Sequence, residues 1–271
     1  MPSSPPRAES GPAQNPSPGR ERIAKRIARA GLCSRREAEA WIAAGRIIVD
    51  GRRITTPALT VGSDARILVD GKPLSAAEPT RLFRYHKPRG LLTSARDPQA
   101  RPTIYDDMPA DLPRLMPIGR LDLASEGLLL LTNDGELKRR LELPATGWLR
   151  RYRARVNGRV DPARLASLAK GLTIAGVDYG SIRASLDRQI GDNAWLTFSL
   201  AEGRNREIRR VCEHFGWPVS RLIRIAYGPF QLGHLDKGAV EEVPAKVLRD
   251  QLGFGAAGAK TRDHAHRRRP A

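Results

Sequence analysis

Residues 119–135 read Gly119-Arg120-Leu121-Asp122-Leu123-Ala124-Ser125-Glu126-Gly127-Leu128-Leu129-Leu130-Leu131-Thr132-Asn133-Asp134-Gly135. The run from Leu128 to Leu131 is apolar enough for a buried strand. A loop held against such a rigid support gives Asp122 little freedom, as general acid/base or nucleophilic catalysis requires. Asp122 is therefore the leading candidate for a catalytic carboxylate. The same spacing also suits an aspartate that caps a turn or pairs with Arg120, and spacing by itself leaves both readings open.

Outward from this stretch, charge names a class of partner. The chain carries 47 Lys and Arg against 29 Asp and Glu, a formal charge of +18 and a sequence pI of about 11.0. Such a field attracts polyanions and makes their binding salt-dependent. Arginine outnumbers lysine, and guanidinium both binds phosphate in a bidentate way and stacks on bases. No apolar run reaches the roughly 18 residues of a membrane span, and the start lacks the charged and apolar regions of a secretory signal. A cytoplasmic protein with nucleic acid as partner and no membrane association is expected. Cys33 and Cys212 stand far apart without metal-ligand spacing, so neither a disulfide framework nor a metal site is suggested.

Composition divides the chain. The first twenty residues hold six prolines and almost no large apolar side chains, too little to offset the entropy of ordering them; residues 1–20 are read as a disordered arm. Residues 253–271 pass through Gly and Ala into Arg267-Arg268-Arg269 and are read as a flexible basic tail. A small domain over residues 21–75 has a helix-helix-hairpin pattern. Ile23 and Ile27 share one helical face, and Arg22, Arg26 and Arg29 share another. Ser34 with Glu37 forms a capping box opening a second helix, in which Ala38, Trp41 and Ile42 fall on one face and Gly45 is the stop. Arg46 to Val49 then meets the turn pair Asp50-Gly51, and Arg66 to Val69 meets Asp70-Gly71. Arg35 and Arg36 sit where the helix macrodipole disfavours cations, so an external anion is a reasonable partner.

After a linker from Pro73 to Pro79, a second domain spans residues 80–252. It opens with a strand at Leu82 to Tyr85 and the loop His86-Lys87-Pro88-Arg89-Gly90, whose Lys87 and Arg89 are candidate phosphate contacts. Strands follow at Arg151 to Val156 and Ala194 to Leu200, and Asp161-Pro162 caps a helix ending at Gly171. Strand alternation puts Tyr152, Ala154 and Val156 on one side and Arg151, Arg153 and Arg155 on the other. Ile208, Val211, Cys212 and Phe215 share a helical face, so Arg204, Arg206 and Arg209 nearby are free for other work. The expected fold class is α+β: a mixed, mainly antiparallel sheet with flanking helices, without the regular alternation of a doubly wound fold. No Gly-x-Gly-x-x-Gly or phosphate-loop signature occurs, and no nucleotide cofactor is expected.

Several of these motifs together resemble the pseudouridine synthases that modify ribosomal RNA, in the branch containing the small-subunit enzyme and large-subunit enzymes B, E and F, with most likeness to the B enzymes. The resemblance runs from about Glu21 to about Leu252. Gly119-Arg120-Leu121-Asp122 matches that family's active-site motif, which makes Asp122 the catalytic residue. Arg151-Tyr152-Arg153 matches its active-site tyrosine, implying that Tyr152 stacks on the uracil. Glu202-Gly203-Arg204-Asn205-Arg206-Glu207-Ile208-Arg209-Arg210 matches a third motif, implying an ion pair between Arg209 and Asp122. Ser220 to Pro229 resembles the final strand, where Leu222 shapes the uracil pocket or belongs to the core. Ala30 to Glu39 resembles the S4 RNA-binding module, in which Arg35 and Arg36 contact phosphates.

The resemblance implies isomerisation of one uridine of 23S rRNA, or of a ribosomal precursor, by a flipped-base mechanism needing no redox cofactor and no metal. A 16S target is the neighbouring alternative. A noncatalytic ribosome-assembly factor that uses the S4-like module alone is the alternative of a different class. No heptad seam appears, and a monomer is expected.

Overall fold

The computed structural model describes residues 19–95, 97–143 and 146–252. The expected tail, and all but the last two residues of the expected arm, lie outside the described residues. The chain divides into two compact units between Glu78 and Pro79.

The first unit comprises β1 (Glu21–Arg22), α1 (Ile23–Arg29), α2 (Arg35–Ala43), β2 (Ile47–Val49), β3 (Arg52–Ile54), β4 (Thr60–Val61), β5 (Ile67–Val69) and β6 (Lys72–Pro73). Ile23, Ile27, Ala38 and Ile42 are fully buried with Ile47, Val49, Ile67 and Val69, so the apolar stripes of both helices close on one face of a small sheet ordered β3-β2-β5-β6. The capping box forms: Glu37 N donates to Ser34 Oγ (3.2 Å), and Ser34 N to Glu37 Oε2 (2.8 Å). Asp50-Gly51 and Asp70-Gly71 close two-residue hairpins with all four residues at positive φ, the geometry that favours Asp-Gly. Each aspartate also ties the sheet: Arg66 N donates to Asp50 Oδ1 at 2.9 Å, and Arg46 Nε to Asp70 Oδ1 at 2.9 Å. Trp41 is only half-buried, its ring covered by the Arg46 guanidinium 4.6 Å away.

The second unit holds β7 (Leu82–Lys87), β8 (Met116–Ile118), β9 (Glu126–Thr132), α3 (Gly135–Glu142), β10 (Arg150–Asn157), α4 (Pro162–Ser167), β11 (Leu172–Ile174), β12 (Val177–Tyr179), β13 (Ile182–Ile190), β14 (Asn193–Leu200), α5 (Glu207–His214), β15 (Val219–Tyr227), β16 (Phe230–Gln231), β17 (Val240–Glu242) and α6 (Ala245–Leu252). One sheet runs β13-β14-β10-β15-β9-β7-β17, with β16 on β15 and β8 on β9; β11 and β12 pair apart. Among the described strands of this sheet, β9 with β15 is the parallel pair and the rest are antiparallel. The helix expected to end at Gly171 is α4 followed by a short 3-10 turn, Leu168–Lys170.

The leucine run is an interior strand of this sheet, between β15 and β7. Leu129 and Leu131 enter a core with Tyr85, Tyr152 and Phe198, while Leu128 and Leu130 enter a second core with Leu82, Leu137, Tyr227 and Leu248. Both faces of β9 are covered, which explains a continuous run in place of an alternating one. Arg224 of β15 lies opposite Gly127. The two backbones approach so closely that a Cβ on Gly127 would stand 2.7 Å from Arg224 N and nearer still to its carbonyl oxygen. Only glycine fits there, and its φ of +106° adds a second reason.

Candidate active site

Asp122 lies in the turn that feeds β9, on the wall of a cleft of about 760 Å³. Tyr152, Leu200, Ile208 and Leu222 supply apolar surface to the same cleft, and Arg120, Arg150, Arg204, Arg206 and Arg224 supply positive charge. Ser125 N donates to Asp122 O (3.0 Å), Thr93 Oγ1 to Leu121 O (2.9 Å), and Gly90 N to Leu123 O (2.9 Å). The main chain on both sides of the aspartate is thereby fixed. Among the described residues the carboxylate itself accepts no hydrogen bond and makes no ion pair.

Three buried cations hold this turn, all through carbonyl oxygens. Lys87 is 0% exposed, and its ammonium donates to Pro88 O (2.9 Å), Ser125 O (3.0 Å) and Asp122 O (3.3 Å). Arg209 donates through Nη2 to Ala124 O and through Nη1 to Val219 O, both at 3.0 Å. Arg224 donates through Nε to Leu128 O (2.6 Å) and lies 3.5 Å from Arg120 O. Burial pushes the Lys87 ammonium down to about 8, against the opposing pull of Asp122 and Glu126. Burial, then the charge of Arg206, lowers the Arg209 guanidinium, and the charge of Asp122 acts in the opposite direction. Buried Glu126 compensates part of the charge; it pairs with Arg221 and, at 3.4 Å, with Lys237.

Two expectations are corrected. Lys87 is not placed to meet phosphate: β7 continues through it, its register with Gly127 puts it beneath the Asp122 turn, and all three of its donors are used internally. Arg209 makes no direct ion pair with Asp122, because its Nη donors reach the carbonyls of Ala124 and Val219; the charge of Asp122 is felt at the guanidinium, where it opposes the lowering by burial.

The remaining site residues fall in three groups. Tyr152 is buried at the cleft wall, in register with Phe198 and Arg224. Arg120, Arg204 and Arg206 are exposed at the cleft, and the field of exposed Arg89 reaches Arg209. Arg204 also pairs with Glu202 (2.7 Å), while Glu207 Oε2 accepts from Arg204 N (2.8 Å) and burial pushes that carboxyl up. In the first unit Arg22, Arg35 and Arg36 are exposed, whereas Arg26 is partly buried and donates to Glu21 Oε1 at 3.4 Å.

The sequence reading missed Arg150, Arg224 and Glu207. Arg150 donates to Tyr227 Oη at 3.0 Å and to the carbonyl of Ala201. Arg224 carried a legible signal: it shares strand phase with Leu222 and Ala226, and an arginine in the inward phase of a strand needs internal partners.

Residues 81–214 match the family model for RNA pseudouridylate synthases, and residues 21–67 match the S4 domain. An RNA pseudouridine synthase of Rickettsia felis is 45% identical over 228 residues, covering 84% of this chain and 99% of that protein. The ribosomal large subunit pseudouridine synthase B of Haemophilus influenzae is 40% identical over 246 residues, covering 87% of this chain and 69% of its own length. A crystal structure of a pseudouridylate synthase shares the fold, with a TM-score of 0.59 at 24% identity over 84% of this chain and 98% of that one. Asp122, in the turn ahead of the leucine strand, thus stands within a match that includes both units: the chain belongs to the RNA pseudouridine synthase family and carries an S4 domain ahead of its synthase domain.

Proposed function

We propose that the protein isomerises one uridine of 23S rRNA to pseudouridine, with Asp122 as the catalytic carboxylate. The observation that carries this reading is the clamped turn: Asp122 has its main chain held by buried donors while its carboxylate, at a cleft, is engaged by none of the described residues. The ribosomal target is supported by similarity to large-subunit enzymes B, of which those of Haemophilus influenzae and Pasteurella multocida are 40% and 39% identical to this chain.

The reaction breaks the bond between sugar C1′ and uracil N1, turns the base, and joins C1′ to C5; the proton leaving C5 balances the one gained at N1. In this reading the flipped uridine enters the cleft, Tyr152 stacks on the uracil, and Leu200, Ile208 and Leu222 retain the detached base. Asp122 takes a sugar proton, giving a glycal, and returns it once the base has turned. Arg209, Lys87 and Arg224 are positioning residues, and their charge favours the anions that develop beside them. Arg89, Arg120, Arg204 and Arg206 meet phosphates around the cleft. Arg22, Arg26, Arg35 and Arg36 hold RNA on the S4 unit, and the protein works as a monomer in the cytoplasm.

Pseudouridine mapping of rRNA from cells lacking the protein, complemented with the natural sequence or with Asp122→Asn, tests this. One 23S site lost and restored only by the natural sequence is the expected result. A missing 16S site would move the target to the small subunit, and an unchanged map would favour a noncatalytic RNA-binding role.

A further inference from the structure

The synthase unit has a second charged surface, across the sheet from Tyr152. The core formed by Leu128, Leu130 and Tyr227 covers one end of that side of the sheet, while on β10, β14 and β13 the outward residues are exposed or half-buried. Strand register sets those residues in rows. Arg151, Ser199 and Arg183 form one row, and Arg155, Trp195 and Arg188 form another; Arg153, Thr197 and Ser185 lie between them. Arginines therefore stand on both outer strands, with Ser199, Thr197 and Trp195 between them on the middle one. Adjacent strands are spaced about 4.8 Å apart and alternate residues along a strand about 6.8 Å, so the arrangement is a trough roughly 10 Å wide with guanidinium walls.

Its floor ends in an aromatic ring. Trp195 is half-buried, with the Arg153 guanidinium 4.9 Å from the ring centre. Arg155, Arg188, Ile190 and Asn193 complete a concavity of about 150 Å³ around it. Asp187, an acid on this face, is already engaged by Arg153 (3.4 Å) and Thr197 Oγ1 (2.8 Å). Among the described residues Arg151, Arg155, Arg183 and Arg188 form no ion pair. Like charges gathered across a sheet repel, and here they flank an indole with a partly open surface, the combination of charged walls and stacking platform that accepts single-stranded nucleic acid.

We infer that this face is a second RNA-binding surface, taking a single-stranded segment with its phosphates along Arg151, Arg155, Arg183 and Arg188 and a base on Trp195. The inference rests on RNA being the ligand of the protein, not on the role of Asp122. It would let the enzyme hold rRNA flanking the modified nucleotide on the side of the sheet opposite the cleft.

The test is binding of a 5′-labelled oligouridylate to the full-length protein as a function of salt. Arg155→Gln/Arg188→Gln should weaken binding about tenfold or more near 0.1 M salt and flatten the log K against log salt slope by about 1.4, the release expected for two single-strand phosphate contacts. Trp195→Leu should weaken it at least about fivefold with no change of slope, because stacking releases no counterion. Arg151→Gln/Arg183→Gln at the far end should repeat the effect on slope. Wild-type affinity and slope in both arginine pairs would overturn the inference. Loss of binding in these variants would uphold it even where the natural protein forms no pseudouridine, an outcome that would count against the preceding reading alone.

Discussion

The ammonium of Lys87 donates to the main-chain oxygen of Asp122 and leaves the carboxylate of the same residue untouched. A buried cation is thereby used to fix backbone position beside a charged side chain. Replacing Lys87 with Met removes the donor from three carbonyls, those of Pro88, Asp122 and Ser125. Asp122 O keeps the donor Ser125 N, and each buried acceptor left unsatisfied costs about 1–3 kcal/mol, offset in part by no longer burying a charge. A net destabilisation of about 2 kcal/mol is expected in urea melts, with pseudouridine formation reduced at least tenfold in protein that remains folded. A variant of natural stability and activity would remove Lys87 from the account of the site.

Lys87 also predicts a pH dependence. Its ammonium falls to about 8 in the folded protein from 10.5 for the unperturbed group. Between those values the folded state binds fewer protons than the unfolded state, so this residue's contribution to stability rises with pH across that window. Activity should move the other way. Above about 8 the neutral amine has one donor fewer and no charge beside Asp122, and turnover should fall with an apparent pKa of about 8. In Lys87→Arg the cation keeps its proton, so the residual activity should lack this alkaline limb. A rate profile with the same limb in that variant would assign it to another group.

Asp122→Asn separates catalysis from structure. The carboxylate accepts no hydrogen bond and makes no ion pair among the described residues, and Asn has nearly the same shape. Stability should change by less than about 0.5 kcal/mol, and RNA affinity should be retained. Pseudouridine formation should drop by about 10²–10⁴-fold, the usual worth of a positioned acid/base group. A loss of fold matching the loss of activity would indicate the turn-capping role that the sequence also allowed.

Gly127→Ala tests the contact between the Asp122 turn and the strand beside it. The added methyl meets the backbone of Arg224, at 2.7 Å from its nitrogen, and no side-chain rotation relieves a backbone clash. A destabilisation of about 3 kcal/mol or more is expected, with activity falling further than stability because β9 and the turn ahead of it shift together. Measuring turnover well below the melting temperature separates the two effects. Activity unchanged there would show that the turn tolerates displacement.

The residues legible in the sequence were those whose surroundings are local. The capping box at Ser34, the Asp-Gly hairpins, the alternation around Tyr152 and the buried face of α5 each follow from neighbours within a few positions. The strand phase of Arg224 shows that it needs internal partners but not which, and Lys87 is not legible as a support, because the carbonyls of Asp122, Ser125, Arg120 and Leu128 lie far along the chain and only the folded sheet brings them together. Lys87 read as a loop cation since Pro88 and Gly90 follow it, although β7 runs one residue short of that proline. The motif puts Arg209 beside Asp122, but a motif does not distinguish a contact to the carboxylate from one to Ala124 O two residues later.

Arg35 and Arg36 give a prediction in which folding and binding have opposite signs. Both are exposed in the first turn of α2, where Ser34 caps the helix and the macrodipole disfavours positive charge. Arg35→Gln/Arg36→Gln should therefore raise the melting temperature slightly or leave it unchanged, since no partner among the described residues is lost. If the pair contacts phosphates, the same change should weaken rRNA binding and flatten its salt slope by about 1.4 to 1.8, for single-stranded or duplex contacts respectively. An unaltered slope with unaltered affinity would make the two arginines ordinary solvated charges and leave the S4 unit to bind RNA through Arg22 and its neighbours.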